Sequence, residues 1–517
     1  MATRETGQPQ IIRTVSLPGD NNPWGSLNRN DLYSRYSIPD TDFDEFVNWF
    51  PFAPTGNSIR QVPGNLTPIA QLILAARPPI WMSPQTLNLA QYLFFLGANG
   101  HLYQVSLGGV ITDCSAATIL GPLSDITNWQ GTTILITDPA ASKIYSWNGT
   151  TFATVFTAQP ATVITVFSGR LWMAFNNTVT FTAGGTFNSL AGDSGSFTIV
   201  ETDCQPPIVA LYPFSGQLYI FGFDWCQALG NITSIGSPAV VNFQISTIEA
   251  RIGTNTRWSI IGLGSTLYWT NAQGVWSLQG TFPQQVSGPV GGFWQNITSA
   301  SSSYSSAFAY IYDTPCLFWN CNDGTNQQVF GLTLQGKWFR TVLSQEIFIC
   351  SDIDQTTGNT KMFGTDVSGN IFQMYASTTA SVSSTVNFKF WSFGSSAFKR
   401  MYKMGTTLFM NNAATITATV YDESGNVIPF LQGTAYSQQN FSSTVVFVDS
   451  GGNPITWTAT PTNITWIAGN LNLWEAFEWG IDDIAKRFGL QLVVSSIGAT
   501  LETVNMEIEI AVPKWGK

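Results

Sequence analysis

A strand–turn–strand pattern that recurs along most of the chain limits its fold more than any other feature. Each copy has an apolar run, a turn marked by Gly, Asn or Asp, and a second apolar run that carries an aromatic residue. The seven copies lie at 93–103, 134–147, 171–181, 218–225, 267–278, 317–330 and 362–372. Their second-run aromatics lie 36 to 54 residues apart, and β-propeller blades repeat every ~40–50 residues. The pattern predicts an irregular β-propeller of six or seven blades.

Composition indicates an all-β protein with more than one domain. Aromatic residues make up 14% of the chain, with 19 Trp, and Gly, Ser, Thr and Asn fill the polar positions. Strands favour aromatic and β-branched residues, whereas turns favour Gly and Asn. Because a chain of 517 residues is too long for one core, two or three domains are expected.

Changes in pattern divide the chain into three parts. Residues 1–60 are polar and irregular and are predicted to form an extended amino-terminal arm, in which 40–50 alternates acidic and aromatic residues. Such a segment buries little surface alone, so we expect it to lie along another surface. Residues 61–376 hold the propeller pattern. Residues 377–517 are predicted to form a β-sandwich, because 504–510 has the period of a half-buried antiparallel strand.

The low charge of the chain favours an assembled protein. Charged residues are 10% of the sequence, against about 25% in ordinary soluble domains. Burial in an assembly protects such a surface from aggregation. The alternative is a monomer with a neutral Ser, Thr and Asn surface. The net charge of −10, with only 21 Lys and Arg, disfavours a protein that binds nucleic acid tightly. It is compatible with a channel through which nucleic acid passes.

The sequence offers little of the chemistry that enzymes and metal sites use. His101 is the only histidine, and a lone histidine beside a turn is expected to be solvated or structural. The six cysteines form no CxxC pair and are expected to be small buried hydrophobes, with disulfides as the alternative. Paired acids of the glycosidase type lack the matching turn motif and arginine cluster. We therefore expect a protein that is not an enzyme, with no catalytic residue, no cofactor and no metal.

No segment of the sequence predicts export or membrane insertion. The amino terminus lacks the apolar core of a signal peptide, and no run of 18 apolar residues occurs. Asn-x-Ser/Thr sequons such as 148–150 and 296–298 are expected to reflect composition rather than glycosylation.

The densest basic segment lies in the carboxy-terminal part of the chain. Lys399, Arg400, Tyr402 and Lys403 interleave cations with an aromatic residue, a composition that suits contact with nucleic acid or an acidic partner. The segment is small for a nucleic-acid footprint, and a solvated strand or an interface rim is the plainer interpretation. Because aromatic residues and Arg are enriched at protein interfaces, these four residues are predicted to face a neighbouring protein and not the bore of a channel.

The order of motifs along the chain resembles that of a known family. The polar arm leads through Val-Asn-Trp-Phe at 47–50 to a Pro-Gly turn at 63–64. Propeller repeats of the form Ser-Gly-x-Leu-aromatic follow at 168–172 and 215–219, and a late Arg-Phe-Gly-Leu-Gln-Leu strand lies at 487–492. Over nearly the whole chain, this order resembles the tail nozzle, or tail hub, proteins of short-tailed bacteriophages.

The resemblance implies a structural function in a virion. Proteins of that family form a hexameric ring below the portal and its adaptor ring, extend or close the DNA ejection channel, and carry fibres or spikes. By resemblance, this chain forms a homo-hexamer in a phage tail, is made in the host cytoplasm, and binds the head-to-tail connector ring and a tail fibre or spike protein. DNA is expected only in transit, past a neutral or acidic wall.

A carbohydrate-binding propeller that recognises a receptor is the alternative. Its exposed Trp residues would stack on sugars and would lie at turns. Trp172, Trp269, Trp276 and Trp319 lie within predicted strands, where burial in the core is expected. The exposure of these four side chains therefore distinguishes the two interpretations.

Overall fold

The protein is built almost entirely of strands. The computed structural model describes residues 11–18, 24–25, 27–29, 39, 41–51, 58–115, 118–237, 239–294, 297, 304–322, 327–354, 357–393, 398–410, 414–428, 435–437, 459–460, 463–468 and 473–510. Within them, α-helix is confined to the turn α1 (Gly291–Trp294), and single 3₁₀ turns lie at Leu74–Ala76, Arg257–Ser259 and Gly288–Val290. No helix of this described part is long and apolar enough to cross a membrane. The all-β prediction is confirmed.

The amino-terminal strands are short and pair with partners far along the chain. They are β1 (Ile11–Leu17), β2 (Phe43–Val47), β3 (Trp49–Pro51), β4 (Ile59–Gln61) and β5 (Ala70–Gln71). β1 and β4 pair with the last strand of the chain, β2 lies between a propeller strand and a carboxy-terminal strand, and β5 joins the last blade. The described strands of the segment predicted as an arm thus pair with other parts of the protein, as their low capacity to bury surface alone requires.

Five propeller sheets follow one another along the chain, each an antiparallel meander of four strands. The first two are β6 (Trp81–Leu87), β7 (Ala90–Leu96), β8 (Leu102–Ser106) and β9 (Ile111–Asp113), then β10 (Ile126–Trp129), β11 (Thr133–Asp138), β12 (Lys143–Trp147) and β13 (Phe152–Phe156). The next three are β14 (Val163–Phe167), β15 (Arg170–Phe175), β16 (Thr178–Phe181) and β17 (Gly195–Thr198); β18 (Ala210–Phe214), β19 (Gln217–Phe221), β20 (Cys226–Ile235) and β21 (Val240–Glu249); and β22 (Ile261–Leu263), β23 (Thr266–Asn271), β24 (Gly274–Leu278) and β25 (Pro283–Gln285).

Two further meanders complete the ring. They comprise β26 (Ser305–Ile311), β27 (Thr314–Asn322), β28 (Gln327–Thr333) and β29 (Trp338–Thr341), and then β30 (Phe348–Ile353), β31 (Thr360–Thr365) and β32 (Asn370–Gln373). β5 supplies the fourth strand of the last blade, and β30 lies beside both β26 and β6, so the ring closes on itself. Six blades are separate four-stranded sheets, and β26–β29 fills one more place while continuing into a larger sheet.

Each sequence repeat forms the second and third strands of one meander. Phe95 pairs with Tyr103 across one hairpin, and Trp269 pairs with Trp276 across another. Cross-strand aromatic pairs of this kind stabilise a sheet by about 0.2–1 kcal/mol each. The repeat is visible in sequence because strand alternation and turn chemistry are both local properties.

The carboxy-terminal strands form two sheets together with the amino-terminal ones. These strands are β33 (Val382–Phe388), β34 (Lys399–Met410), β35 (Ala414–Asp422), β36 (Val427–Ile428), β37 (Ala435–Ser437), β38 (Ala459–Thr460), β39 (Asn463–Ala468), β40 (Leu473–Ala485), β41 (Phe488–Ser496) and β42 (Thr500–Ile510). One sheet has the order β3-β4-β42-β34-β40-β37, with β1 on β42. The other runs β26-β27-β28-β29-β2-β33-β41-β35-β39-β38, with β36 on β35.

Both sheets contribute to one hydrophobic core. Met404 and Met506 of the first sheet and Val420 and Leu492 of the second are buried in the same cluster. Two sheets around a shared core are the arrangement that the predicted sandwich requires. The same cluster also takes in Trp319 from β27. The cluster therefore includes residues on both sides of the predicted boundaries at 60 and 376.

A buried glutamine fixes the amino-terminal segment between these sheets. Gln61 is fully buried. Its Nε2 donates to the carbonyls of Val382 and Val494, at 3.1 and 3.0 Å, and to the Ser384 hydroxyl at 3.0 Å, while its Oε1 accepts from the Ala499 N–H at 2.9 Å. Every polar atom of the amide has a partner, so burying the Gln61 side chain leaves no polar atom without a hydrogen bond.

Candidate functional site

The axis of the propeller is filled at one end by the segment that precedes β22. The Arg257 guanidinium bonds the Asp125 carboxylate next to β10 and donates to the Ile164 carbonyl of β14 at 3.1 Å. The Ser306 hydroxyl of β26 donates to the Trp258 carbonyl at 2.9 Å. One short segment thus contacts the inner strands of several blades, which places it at the centre of the ring.

Aromatic rings close the same end of the axis. Trp258 stacks on Trp81 of β6 with ring centroids 5.4 Å apart and meets Phe348 of β30 edge-on at 5.7 Å. The Arg257 guanidinium lies 4.8 Å from the Trp258 ring centre, a cation–π contact. We refer to Trp81, Asp125, Arg257, Trp258 and Phe348 as the axial cluster. The axial cluster thus joins the inner strands of several blades at this end of the propeller.

Asp125 is a buried charge with a full set of partners. Besides Arg257, its side chain accepts from the backbone N–H groups of Ile126 and Ile164, at 2.8 and 2.9 Å. Burial raises the pKa of Asp125, while the Arg257 charge and these hydrogen bonds oppose the shift. A buried ion pair of this kind holds its two segments in one geometry, because removing either partner leaves the other charge buried without compensation.

A cleft lies where the last blade meets the carboxy-terminal sheets. We call it the junction cleft. Its volume is about 450 Å3, and its lining is rich in amide, hydroxyl and carboxylate groups. Those polar groups belong to Asn48, Asn65, Ser344, Asp366, Asn370, Ser381 and Ser383. Phe372 and Leu343 supply apolar wall.

A buried carboxyl lies beside the junction cleft. Glu346 is 1% exposed, and its Oε1 accepts from Asn65 Nδ2 and from the Ser344 N–H, both at 3.0 Å. Burial raises the pKa of Glu346, and the nearby Asp366 charge raises it further. Glu346 itself does not line the cleft, and its contact with the cleft is through Asn65 and Ser344. Its two hydrogen bonds also make it a structural link between the 62–69 and 342–347 segments.

The predicted basic segment is divided between core and surface. Lys399 is 1% exposed and its Nζ donates to the Lys486 carbonyl at 2.8 Å; burial lowers the pKa of Lys399, and so does the Arg487 charge. Arg400 is exposed and lies 5.3 Å from the Tyr402 ring centre, and the Tyr402 hydroxyl bonds Glu509. The Lys403 side chain lies outside the described residues. Lys399 is thus buried in the subunit, and contact of Arg400, Tyr402 and Lys403 with a neighbouring protein stays a prediction.

The other residues singled out in the sequence have structural surroundings. His101 Nδ1 lies 2.7 Å from Asp113 Oδ2, and its ring stacks on Tyr103. All six cysteines are free and buried, as predicted, and burial raises the pKa of Cys114 to about 12. Among the described residues, no group of three or more His, Cys, Asp and Glu side chains is placed to hold a metal ion.

Comparisons with known proteins return solved structures at low similarity. No family model and no curated protein matches the chain. A streptogramin B lyase structure matches 59% of this chain and 95% of its own, with 12% identity and a TM-score of 0.39. An inactive virginiamycin B lyase from Staphylococcus aureus with quinupristin matches 61% and 98%, with 12% identity and a TM-score of 0.40. BamB from Moraxella catarrhalis matches 70% and 97%, with 8% identity and a TM-score of 0.35.

The prediction that the chain is not an enzyme is corrected by these comparisons. Lyases stand among the solved structures that match the chain, and the prediction is therefore withdrawn. The single histidine and the missing motifs argue against particular chemistries, and not against every reaction. With TM-scores of 0.39 and 0.40, the likeness assigns no lyase activity to this chain.

Sequence reasoning missed the axial cluster. Arg257 and its partner Asp125 lie 132 residues apart in the sequence. No local pattern connects the two residues. For Lys399 a signal was present, because strand alternation places it on the same face as Met401, which is fully buried.

Proposed function

We propose that this chain is a structural subunit of a bacteriophage tail, of the nozzle or hub type, which forms a hexameric ring below the portal–adaptor complex and carries fibres or spikes. The ring would extend or close the channel through which DNA leaves the particle. The order of motifs that resembles this family motivates the proposal. The observation that carries it is the distribution of exposed apolar side chains.

Both faces of the propeller expose large apolar side chains. On the face that bears the turns between second and third strands, Leu74 is 81%, Ile119 71% and Val200 82% exposed. On the opposite face, Leu89 is 91% and Phe282 72% exposed. Because only 10% of the residues are charged, charge repulsion does little to prevent such surfaces from associating. Apolar surface on two opposite faces suits a subunit that is covered on both sides by other proteins.

The continuous sheet between the propeller and the carboxy-terminal region supports a mechanical role for the subunit. The sheet that contains β26–β29 continues through β2 into β33 and β41. The hydrogen bonds of one sheet therefore connect the ring to the carboxy-terminal region. Such a connection transmits mechanical force, whereas a flexible linker would not. A DNA channel on the six-fold axis of such a ring would run between subunits and not along the axis of one propeller.

The test is electron microscopy of particles that contain the chain. We expect six copies in one ring at the tail, below the connector, with DNA or its channel on the six-fold axis. One copy or a trimer per tail, or a location outside the tail, contradicts the proposal.

No specific observation favours the carbohydrate-binding alternative. Trp172, Trp269 and Trp319 are fully buried, and Trp276 is half-buried with its Nε1 donating to Asn271 Oδ1 at 3.1 Å. These four side chains pack in the core or at its edge.

A further inference from the structure

One outer propeller strand is much longer than the others. β21 has 10 residues, whereas the outer strands β5, β9, β13, β17 and β25 have 2, 3, 5, 4 and 3. It ends its sheet in the order β18-β19-β20-β21, and no described strand pairs with its outer edge. A long open edge presents a row of backbone N–H and C=O groups to any extended chain that approaches.

β21 has one of the usual protections of an edge strand, a bulge at Ile248 next to its end, and it is regular from Val240 to Thr247. No Lys, Arg or Pro occurs within 240–249, and its single charge, Glu249, is the last residue. Asn242, Gln244 and Ser246 are exposed along it. The adjoining hairpin tip exposes Ile235 by 60% and Val240 by 65%. Natural edges carry charges, bulges or prolines to prevent pairing. The regular run from Val240 to Thr247 has none of these on β21, so it is the part of the edge on which another strand can add.

The hairpin of β20 and β21 is held rigidly over the neighbouring blade. Phe243 meets Phe197 with ring centroids 4.9 Å apart and Phe181 at 6.1 Å. The Ser234 hydroxyl donates to Asp193 Oδ2 at 3.1 Å. The edge is therefore preorganised, which reduces the ordering that a partner strand would require.

We propose that β21 is a docking edge on which an extended segment of a different polypeptide adds as a fifth antiparallel strand. The two ends of the edge differ in chemistry. Glu249 lies at one end, where the exposed Glu201 accepts a hydrogen bond from the Thr247 hydroxyl. The apolar pair Ile235 and Val240 lies at the other end. An antiparallel partner that matches both ends is basic at its amino end and apolar at its carboxyl end.

The same polarity argues against a second copy of this chain as the occupant. Antiparallel pairing of β21 with itself would place Glu249 of each copy against the apolar tip of the other. Neither end would then meet its complement. The inference does not depend on the proposed tail function, because it follows from the edge alone.

The experiment uses the full chain and a fluorescent eight-residue peptide with two lysines at its amino end followed by alternating threonine and valine. We expect saturable binding that weakens at least tenfold when alternate backbone nitrogens of the peptide are methylated, since methylation removes the donors of a strand ladder. Amides of β21 gain protection from hydrogen exchange, and those of the outer strand β13 do not.

A charge swap supplies the matched control. The Glu249→Lys variant should bind the lysine peptide several-fold more weakly and a version with two glutamates more tightly. The proposal is overturned if methylation has no effect, if protection appears elsewhere, or if no peptide binds. It is also overturned if the chain dimerises and Gln244→Pro abolishes the dimer, because the occupant is then a second copy.

Discussion

At the scale of single residues, buried polar side chains connect segments that are far apart in sequence. Arg257 joins Asp125 across 132 residues, and Gln61 reaches the Val494 carbonyl across 433. Each bond closes a long loop, so it forms only when the fold is nearly complete. Replacing one partner leaves the other buried without compensation, and such groups are expected to be the most sensitive positions in the protein.

The axial ion pair should behave as a unit. Arg257→Met leaves Asp125 buried and uncompensated, and we expect a loss of about 3–5 kcal/mol in the free energy of unfolding. Adding Asp125→Asn to that variant should recover much of the loss, because no buried charge remains. Urea unfolding of the two single variants and the double variant measures this coupling. The exposed Arg251→Met is the control, with an expected change within about 0.5 kcal/mol. Additive losses would contradict the pairing.

Glu346 should make stability depend on pH. Because burial raises its pKa in the folded protein, the folded state binds this proton more tightly than the unfolded chain does. The resulting stabilisation is complete below the unfolded value of about 4.3 and is lost as pH rises through the raised value. Glu346→Gln, which keeps the acceptor for Asn65, should therefore gain stability relative to the parent on going from pH 4 to pH 8.

Thermal unfolding across that pH range measures the difference for Glu346→Gln. Each unit of pKa shift corresponds to about 1.4 kcal/mol. The exposed Glu502→Gln is the control and should follow the parent at every pH. Parallel curves for the parent and Glu346→Gln would show that Glu346 has the same pKa in both states.

At the scale of elements, β2 joins the propeller to the carboxy-terminal sheet. It pairs with β33 along its length and with β29 at one position. Phe43 anchors it: its ring stacks on Phe46 at 4.7 Å and meets Phe388 edge-on at 5.4 Å. A five-residue strand from the start of the chain therefore holds two later segments together.

Phe43→Ala should lower the free energy of unfolding by about 3–5 kcal/mol, because it opens a cavity in a fully buried aromatic cluster. Hydrogen exchange should accelerate in β33 and β41, and the blade β6–β9 should keep its protection. Asp44→Ala on the same strand is the control, since Asp44 is only half-buried. Equal acceleration in β6–β9 would show that β2 stabilises the ring as a whole.

At the scale of the whole molecule, exposed apolar surface should govern association. Leu74 and Ile119 lie on the same propeller face and are 81% and 71% exposed. Burying each such side chain in a contact contributes about 1.5–3 kcal/mol. The double variant Leu74→Asp with Ile119→Asp should therefore associate at least tenfold more weakly in sedimentation equilibrium, with an unchanged melting temperature. Thr157→Asp, an exposed polar position on that face, should sediment as the parent does.

The sequence by itself determined the seven repeated hairpins, the all-β class and the burial of the cysteines. These features follow from alternation, turn residues and composition, which act over a few neighbouring positions. The alternation at 504–510 likewise predicted the last strand, in which Val504, Met506 and Ile508 are buried.

Only the tertiary structure decided which distant segments meet. The pairing of β2 with β33, the closure of the last blade by β5 and the axial contact of Arg257 with Asp125 join residues more than 100 positions apart. An apolar alternating strand can pair with many others, and its own sequence does not select one. The choice of a pairing partner depends on the burial summed over the complete fold. The same sum placed Lys399 in the core and left the outer edge of β21 without a described partner strand.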